Sequence, residues 1–206
     1  MRLQFGELNI TPRVEERLAE LGYTPEELQE AVSEHKSGCD GEPSVYVGTY
    51  GKYNEGSLCG LWIDLSSFSD YDEFIDFCKA IHADEPDPEL MAQDYEAFPR
   101  QWYNEGFMSE EDFDHIQEYT ELCDKYDVDA VDDYMEFADE LDNFEEAYCG
   151  EWDSEEDFAR HIVEECYDLE RTMGDLSRYF DYEAFGRDLF MWDYNMGANN
   201  HVFRRI

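Results

Sequence analysis

An α+β fold follows from three features of this 206-residue sequence. Short strand-like runs and amphipathic helices are interspersed, without the regular alternation that a doubly wound sheet requires. The composition is 42% hydrophobic and 16% aromatic, enough to bury a core despite a net charge of −40. Cap signals mark several helix starts, beginning with two threonine–proline pairs near the N-terminus.

In order along the chain, residues 1–36 predict a helical hairpin. Thr11-Pro12 and Thr24-Pro25-Glu26-Glu27 are cap-then-proline starts, separated by Gly22. SGCDGEP (37–43) reads as a linker, which sets residues 1–42 apart as a helical N-terminal extension. SVYVGTY (44–50) and SLCGLWIDL (57–65) read as strands joined in a hairpin around GKYNEG. Within that turn, Tyr53, Asn54, Glu55 and Gly56 read as turn-formers. DYDEFIDFCKAIHA (70–83) predicts an amphipathic helix with Phe74, Phe77, Cys78 and Ile81 inward, followed by an extended stretch at 90–95.

Ser109-x-x-Asp112 is a capping box that opens a helix burying Phe113, Ile116, Tyr119, Thr120, Cys123 and Tyr126. A second helix over 130–142 buries Val131, Tyr134, Phe137, Ala138 and Leu141. A short turn follows from Asn143, with Glu146 at its third position and Gly150 ending it. SEEDFARHIVEEC (154–166) is a helix capped by Ser154 with Asp157 three residues on, and HVFRRI (201–206) reads as a closing strand. DYEAFPR (94–100) returns as DYEAFGR (181–187), with little else aligning at that offset of 87 residues.

The charge is unevenly placed. Residues 1–43 carry net −6 and residues 44–100 net −9. Residues 101–159 hold 23 acidic groups against Lys125, net −22, and residues 160–206 carry net −3. On the first acidic helix, Glu110, Glu111, Asp114, Glu118, Glu121 and Asp124 fall opposite the apolar face. Beyond it, Asp132, Asp133, Glu136, Asp139 and Glu140 are read as turned outward, with Glu145 and Glu146 following. Like charges at i,i+4 each cost a few tenths of a kcal/mol, so nothing in folding asks for these ridges. Solvated helix faces explain acids but not the near-absence of lysine and arginine, so the pattern alone leaves open a functional anionic surface or a compositional bias.

This balance disfavours nucleic acid and anionic membranes as partners and points to cationic ones. Cys39, Cys59, Cys78, Cys123, Cys149 and Cys166 are dispersed without a C-x-x-C, and no apolar leader or spanning segment is evident; the expectation is reduced thiols in a cytoplasmic protein. A calcium loop begun at Asp127 would put Val131 at position 5, Asp132 where glycine is needed and Ala138 where glutamate is needed, so an EF-hand is rejected. His35, His82, His115, His161 and His201 form no metal-binding pattern, and Gly6, Gly22 and Gly38 read as turns. No nucleophile elbow, phosphate loop or dinucleotide fingerprint occurs. The sequence predicts no catalytic residue, metal or cofactor.

From residue 44 onward the chain resembles the ArdA antirestriction proteins. The resemblance rests on VYVGTYGKYNEGSLCGLWIDL (45–65), ELMAQDYEAF (89–98), GEWDSEEDFA (150–159) and YFDYEAFGRDL (179–189), in the family's order. The last overlaps the stretch described in that family as the antirestriction motif; here it comprises Tyr179, Asp181, Tyr182, Glu183, Phe185, Gly186, Arg187, Asp188 and Leu189. The spacing of its apolar members favours packing and dimerisation over contact with a target.

The resemblance implies a homodimeric, elongated α+β chain of three small domains that mimics duplex DNA. Such proteins occupy the DNA-binding cleft of type I restriction–modification enzymes and protect mobile genetic elements. The implied domains are 43–103, 104–146 (the acidic helices) and 147–206 (dimerisation). Charge counting agrees: duplex DNA carries one charge per ~1.7 Å, so −40 matches about 68 Å of duplex, or roughly 40 base pairs for a dimer. A compact globule of this length is only about 43 Å across. An acidic module for another basic DNA-binding protein, or a weak divalent-cation buffer, are the competing readings.

Overall fold

The computed structural model describes residues 8–36 and 41–206 of the chain, and helix and strand mix in small sheets as an α+β fold. Gly6, at one end, and Gly38, Cys39 and most of the SGCDGEP linker lie outside the described residues. The chain divides into two compact units, one ending at Glu121 and the other spanning Leu122–Ile206.

In the first unit, α1 (Pro12–Glu20) and α2 (Pro25–His35) start where the prolines place them. The Thr11 hydroxyl accepts from the Val14 N–H, and Thr24 and Glu27 complete a reciprocal capping box. β1 (Ser44–Thr49) is the centre of a three-stranded antiparallel sheet, flanked by β2 (Leu61–Asp64) and β3 (Leu90–Glu96). The hairpin expected around GKYNEG is a longer connection. Thr49 caps a short helix, α3 (Tyr50–Asn54), and the second strand begins only at Leu61.

α4 (Tyr71–Ile81) buries Phe74, Phe77, Cys78 and Ile81, as its periodicity predicts. Phe68, Phe74 and Phe77 meet His35 of α2, whose ring stacks on Phe68 at 4.1 Å. Arg17 of α1 donates to the Ala83 carbonyl at 2.6 Å. The two N-terminal helices thus share this unit's core. The start of α5 (Glu110–Lys125) joins the same core through Phe113, stacked on Phe74 at 5.5 Å, and through Gln117, which donates to the Leu65 carbonyl.

A polar knot sits under α3. Lys52 Nζ lies 2.9 Å from His82 Nδ1 and 2.9 Å from Asp84, while Thr49 donates to Glu85. For the ammonium to donate, the ring must be neutral with its proton on Nε2, facing the Val47 carbonyl at 3.4 Å. Burial, reinforced by the Lys52 charge, pushes His82 down to about 4.

The second unit contains α6 (Val128–Met135), α7 (Phe144–Ala147), β4 (Tyr148–Glu151), α8 (Glu155–Cys166), α9 (Leu169–Met173) and α10 (Tyr182–Trp192). β5 (Tyr194–Met196) and β6 (His201–Arg204) complete an antiparallel sheet ordered β4-β6-β5. Phe203 of the central strand meets Tyr134, Phe144 and Tyr148, and Phe158 of α8 meets Phe190 and Tyr194.

Two expectations fail here. The helix predicted over 130–142 stops at Met135. There the Glu136 and Phe137 N–H groups donate to the Asp133 and Tyr134 carbonyls, bonds three residues back that tighten and close the last turn. Leu141 instead reaches the core from a turn, and Phe137 is left 42% exposed. Gly150, expected to end a helix, lies within β4 at φ +95°.

Candidate functional site

α5 is fixed in orientation by its inner face. Ser109 and Asp112 form the predicted box, each backbone N–H donating to the other's side chain. Phe113, Ile116, Tyr119 and Leu122 are buried, and Trp102 stacks against His115 and meets Tyr119 edge-on. Helical periodicity then carries the acids to the other side. Glu110, Glu111, Asp114, Glu121 and Asp124 are exposed, and Glu118 is half-buried.

These six carboxylates occupy residues 110–124, about 21 Å of helix axis. That is one charge per ~4 Å of axis, close to the ~3.4 Å of duplex axis per phosphate of one DNA strand. A shallow groove bounded by Glu110, Glu111, Asp114 and Glu118 runs beside His115.

Past α5 the nominated acids divide. Asp132, Glu136, Asp139, Glu140, Glu145 and Glu146 are exposed. Lys125, the single basic residue in 101–159, stands 3.4 Å from Glu145. Asp133 is the exception and corrects the expectation that it faces solvent: it is 1% exposed. Its carboxylate accepts from the Asn199 backbone N–H and side-chain amide at about 3 Å and from the His201 N–H at 3.2 Å. Gly197 makes room for it, since a Cβ there would sit 2.2 Å from the Asp133 Cγ. Asp133 ties α6 to the β5–β6 turn, and no local sequence signal distinguishes it from Asp132.

The motif residues stand around α10. Asp181 caps the helix by accepting from the Ala184 N–H at 2.9 Å. Tyr182 lies under the Arg160 guanidinium at 4.2 Å, and Phe180 meets both Tyr182 and Phe185 edge-on. Gly186 is buried against α8, where a Cβ would come within 2.8 Å of the Glu155 carbonyl oxygen. Arg187 pairs with Glu183 at 3.6 Å on the exposed side, Asp188 is exposed, and Leu189 is half-buried. Tyr179 is 76% exposed. The motif therefore contains both packing residues and free surface.

The sequence over residues 45–203 matches a known family, described as Antirestriction protein (ArdA). The chain belongs to that family. Curated proteins offer no match to set beside it. The ArdA match begins at β1, so α1 and α2 lie outside it while sharing the core of the unit it enters. Among the described residues, no cluster of histidine, cysteine and carboxylate groups is arranged to hold a metal ion, and no helix is long and apolar enough to cross a membrane.

Proposed function

We propose that this antirestriction protein acts as a mimic of double-stranded DNA, occupying the DNA-binding cleft of type I restriction–modification enzymes. The observation that carries this reading is the axial density of carboxylates on α5, close to that of phosphates on one DNA strand. Lysines and arginines of the cleft pair with the ridge collectively, and release of counterions drives association. On the second unit Asp132, Glu136, Asp139, Glu140, Glu145 and Glu146 add further exposed acids; Asp133 is not among them.

The mimic acts as a homodimer, joined through the C-terminal block. Charge supports that choice, since this block carries net −3 whereas pairing two −22 blocks would be opposed by repulsion. So does its surface, where Leu176, Tyr179, Met191 and Trp192 are each more than half exposed. Division into the three domains 43–103, 104–146 and 147–206 belongs to the same reading, as does a cytoplasmic site of action.

The deciding experiment titrates the purified protein against a type I restriction–modification enzyme and its DNA at several salt concentrations. Inhibition should weaken steeply with salt, and joint neutralisation of Glu110, Glu111, Asp114, Glu118 and Glu121 to glutamine should weaken it further and flatten that dependence. Equal inhibition by the neutralised variant at raised salt would exclude electrostatic mimicry.

A further inference from the structure

The sheet of the first unit has one face in the core and one face away from it. Val45, Val47, Ile63 and Ala92 are wholly buried. An antiparallel sheet of this kind ordinarily carries polar residues on its second face. Here two aromatic rings stand on that face beside polar residues. Tyr46 of β1 lies opposite Trp62 of β2 and Asp94 of β3, forming one cross-strand row. The two rings meet edge-on at 5.6 Å, and the Tyr46 hydroxyl donates to the Leu58 carbonyl.

Tyr53, read from sequence as a turn-former, stands 49% exposed at the rim with Leu58 at 67%. Together with Met91, Gln93 and Glu105 these residues line an open cleft of about 530 Å³. Two glycines keep space within it. A Cβ at Gly48 would come within 2.6 Å of the Gln93 amide nitrogen, and one at Gly60 within 2.8 Å of the Tyr46 ring and 2.4 Å of the Val47 carbonyl oxygen.

We propose that this cleft is a cation-binding subsite that receives an arginine or lysine side chain of a protein partner. The π faces of tyrosine and tryptophan attract a cation, and Asp94 and Glu105 are both exposed acids on the lining. The aromatic surface accommodates the apolar stem of such a side chain while its charged head meets the carboxylates. An anionic or phosphate-bearing ligand would be repelled by the same acids. As the partner, this inference takes the basic protein of the proposed function and adds an anchor with shape to a surface that otherwise offers only charge.

The test needs no restriction enzyme. The full chain, carrying fluorinated tryptophan, is titrated with N-acetyl-arginine amide and followed by fluorine NMR, with the Trp62 signal assigned from a Trp62→Phe variant. A saturable shift at Trp62, absent at Trp192, is expected. Tyr53→Ala and the pair Asp94→Asn and Glu105→Gln should each weaken it by roughly two- to fivefold. Glutamine substitutions along the α5 ridge should leave it unchanged.

The absence of a Trp62 shift would overturn the subsite while leaving mimicry by the ridge untouched. Equal binding of the neutral analogue N-acetyl-norleucine amide would overturn it as well, as a merely apolar cleft. Retained cation binding by a protein that inhibits no restriction enzyme would uphold the subsite and count against the proposed function alone.

Discussion

Asp132 and Asp133 are adjacent on α6, yet one is exposed and the other is among the most buried side chains of its unit. The same contrast separates the ridge of α5 from the polar knot at His82. In the buried set each group answers a specific partner: Asp133 holds the turn at Asn199 and His201, and His82 stands between Lys52 and the Val47 carbonyl. In the exposed set the carboxylates face solvent, and like-charge spacing works against the helix that carries them. Acids required by the fold and acids displayed on the surface cannot be told apart by composition. They separate through what substitution does to stability.

Asp133→Ala should be the most damaging change. It removes the acceptor for two backbone N–H groups, that of His201 being buried. Losing charge-assisted hydrogen bonds and stranding a buried donor costs about 3 kcal/mol or more. Denaturant unfolding should show this loss, whereas Asp132→Ala, at an exposed position, should cost clearly less. Similar midpoints for the two variants would remove the distinction.

His82 offers a comparable effect controlled by pH. Its folded value of about 4 lies below the ordinary 6.5, so folding favours the neutral ring. Stability from this source is complete above pH 6.5 and is lost as pH falls through 6.5 toward 4. The total is at most about 3 kcal/mol. Protonating the ring also removes the acceptor that Lys52 uses, and brings two cations together beside Asp84 and Glu85. Unfolding free energies measured from pH 7.5 to 4.5 should fall more steeply for the parent than for His82→Gln; parallel curves would show that the ring is not the sensitive group.

Gly186→Ala tests packing rather than polarity. Alanine favours a helix interior by about 1 kcal/mol over glycine. A Cβ at this position, however, meets the backbone carbonyl of Glu155, and overpacking of this kind costs about 1–3 kcal/mol. A net loss of about 1 kcal/mol in thermal unfolding is expected, and a gain would show that α8 and α10 can move apart freely.

The two copies of DYEAF show how much of this was legible. Asp94–Glu96 end a strand and Ala97 takes φ +61°, whereas Asp181 caps α10 and the following residues are helical. The difference begins at the sixth residue. Pro99 has no N–H to give the Tyr95 carbonyl and disfavours helical backbone at Phe98, while Gly186 permits the helix and the close approach of α8. Such local chemistry also made the caps at Thr11, Thr24, Ser109 and Ser154 readable. The burial of Asp133 was not readable, because its partners lie more than 60 residues away at Asn199 and His201. The α5 ridge was readable because one helix with one apolar face determines where its acids go. The aromatic cleft was not, since it needs the register that places Asp94, Tyr46 and Trp62 in one row.

The smallest expected effect on stability is at the ridge itself, and its sign is reversed. Glu110 and Asp114, Asp114 and Glu118, and Glu111 and the half-buried His115 are i,i+4 neighbours on α5. Neutralising Asp114 to asparagine relieves two carboxylate repulsions of a few tenths of a kcal/mol each. Asparagine in a helix interior is not better than aspartate by enough to account for the gain. Thermal unfolding at low salt should therefore show a slight rise, fading as salt screens the parent's repulsion. A loss of stability would mean that Asp114 serves the fold as Asp133 does. A salt-dependent gain would mark the ridge as charge held against folding, which is what selection for a basic partner would leave behind.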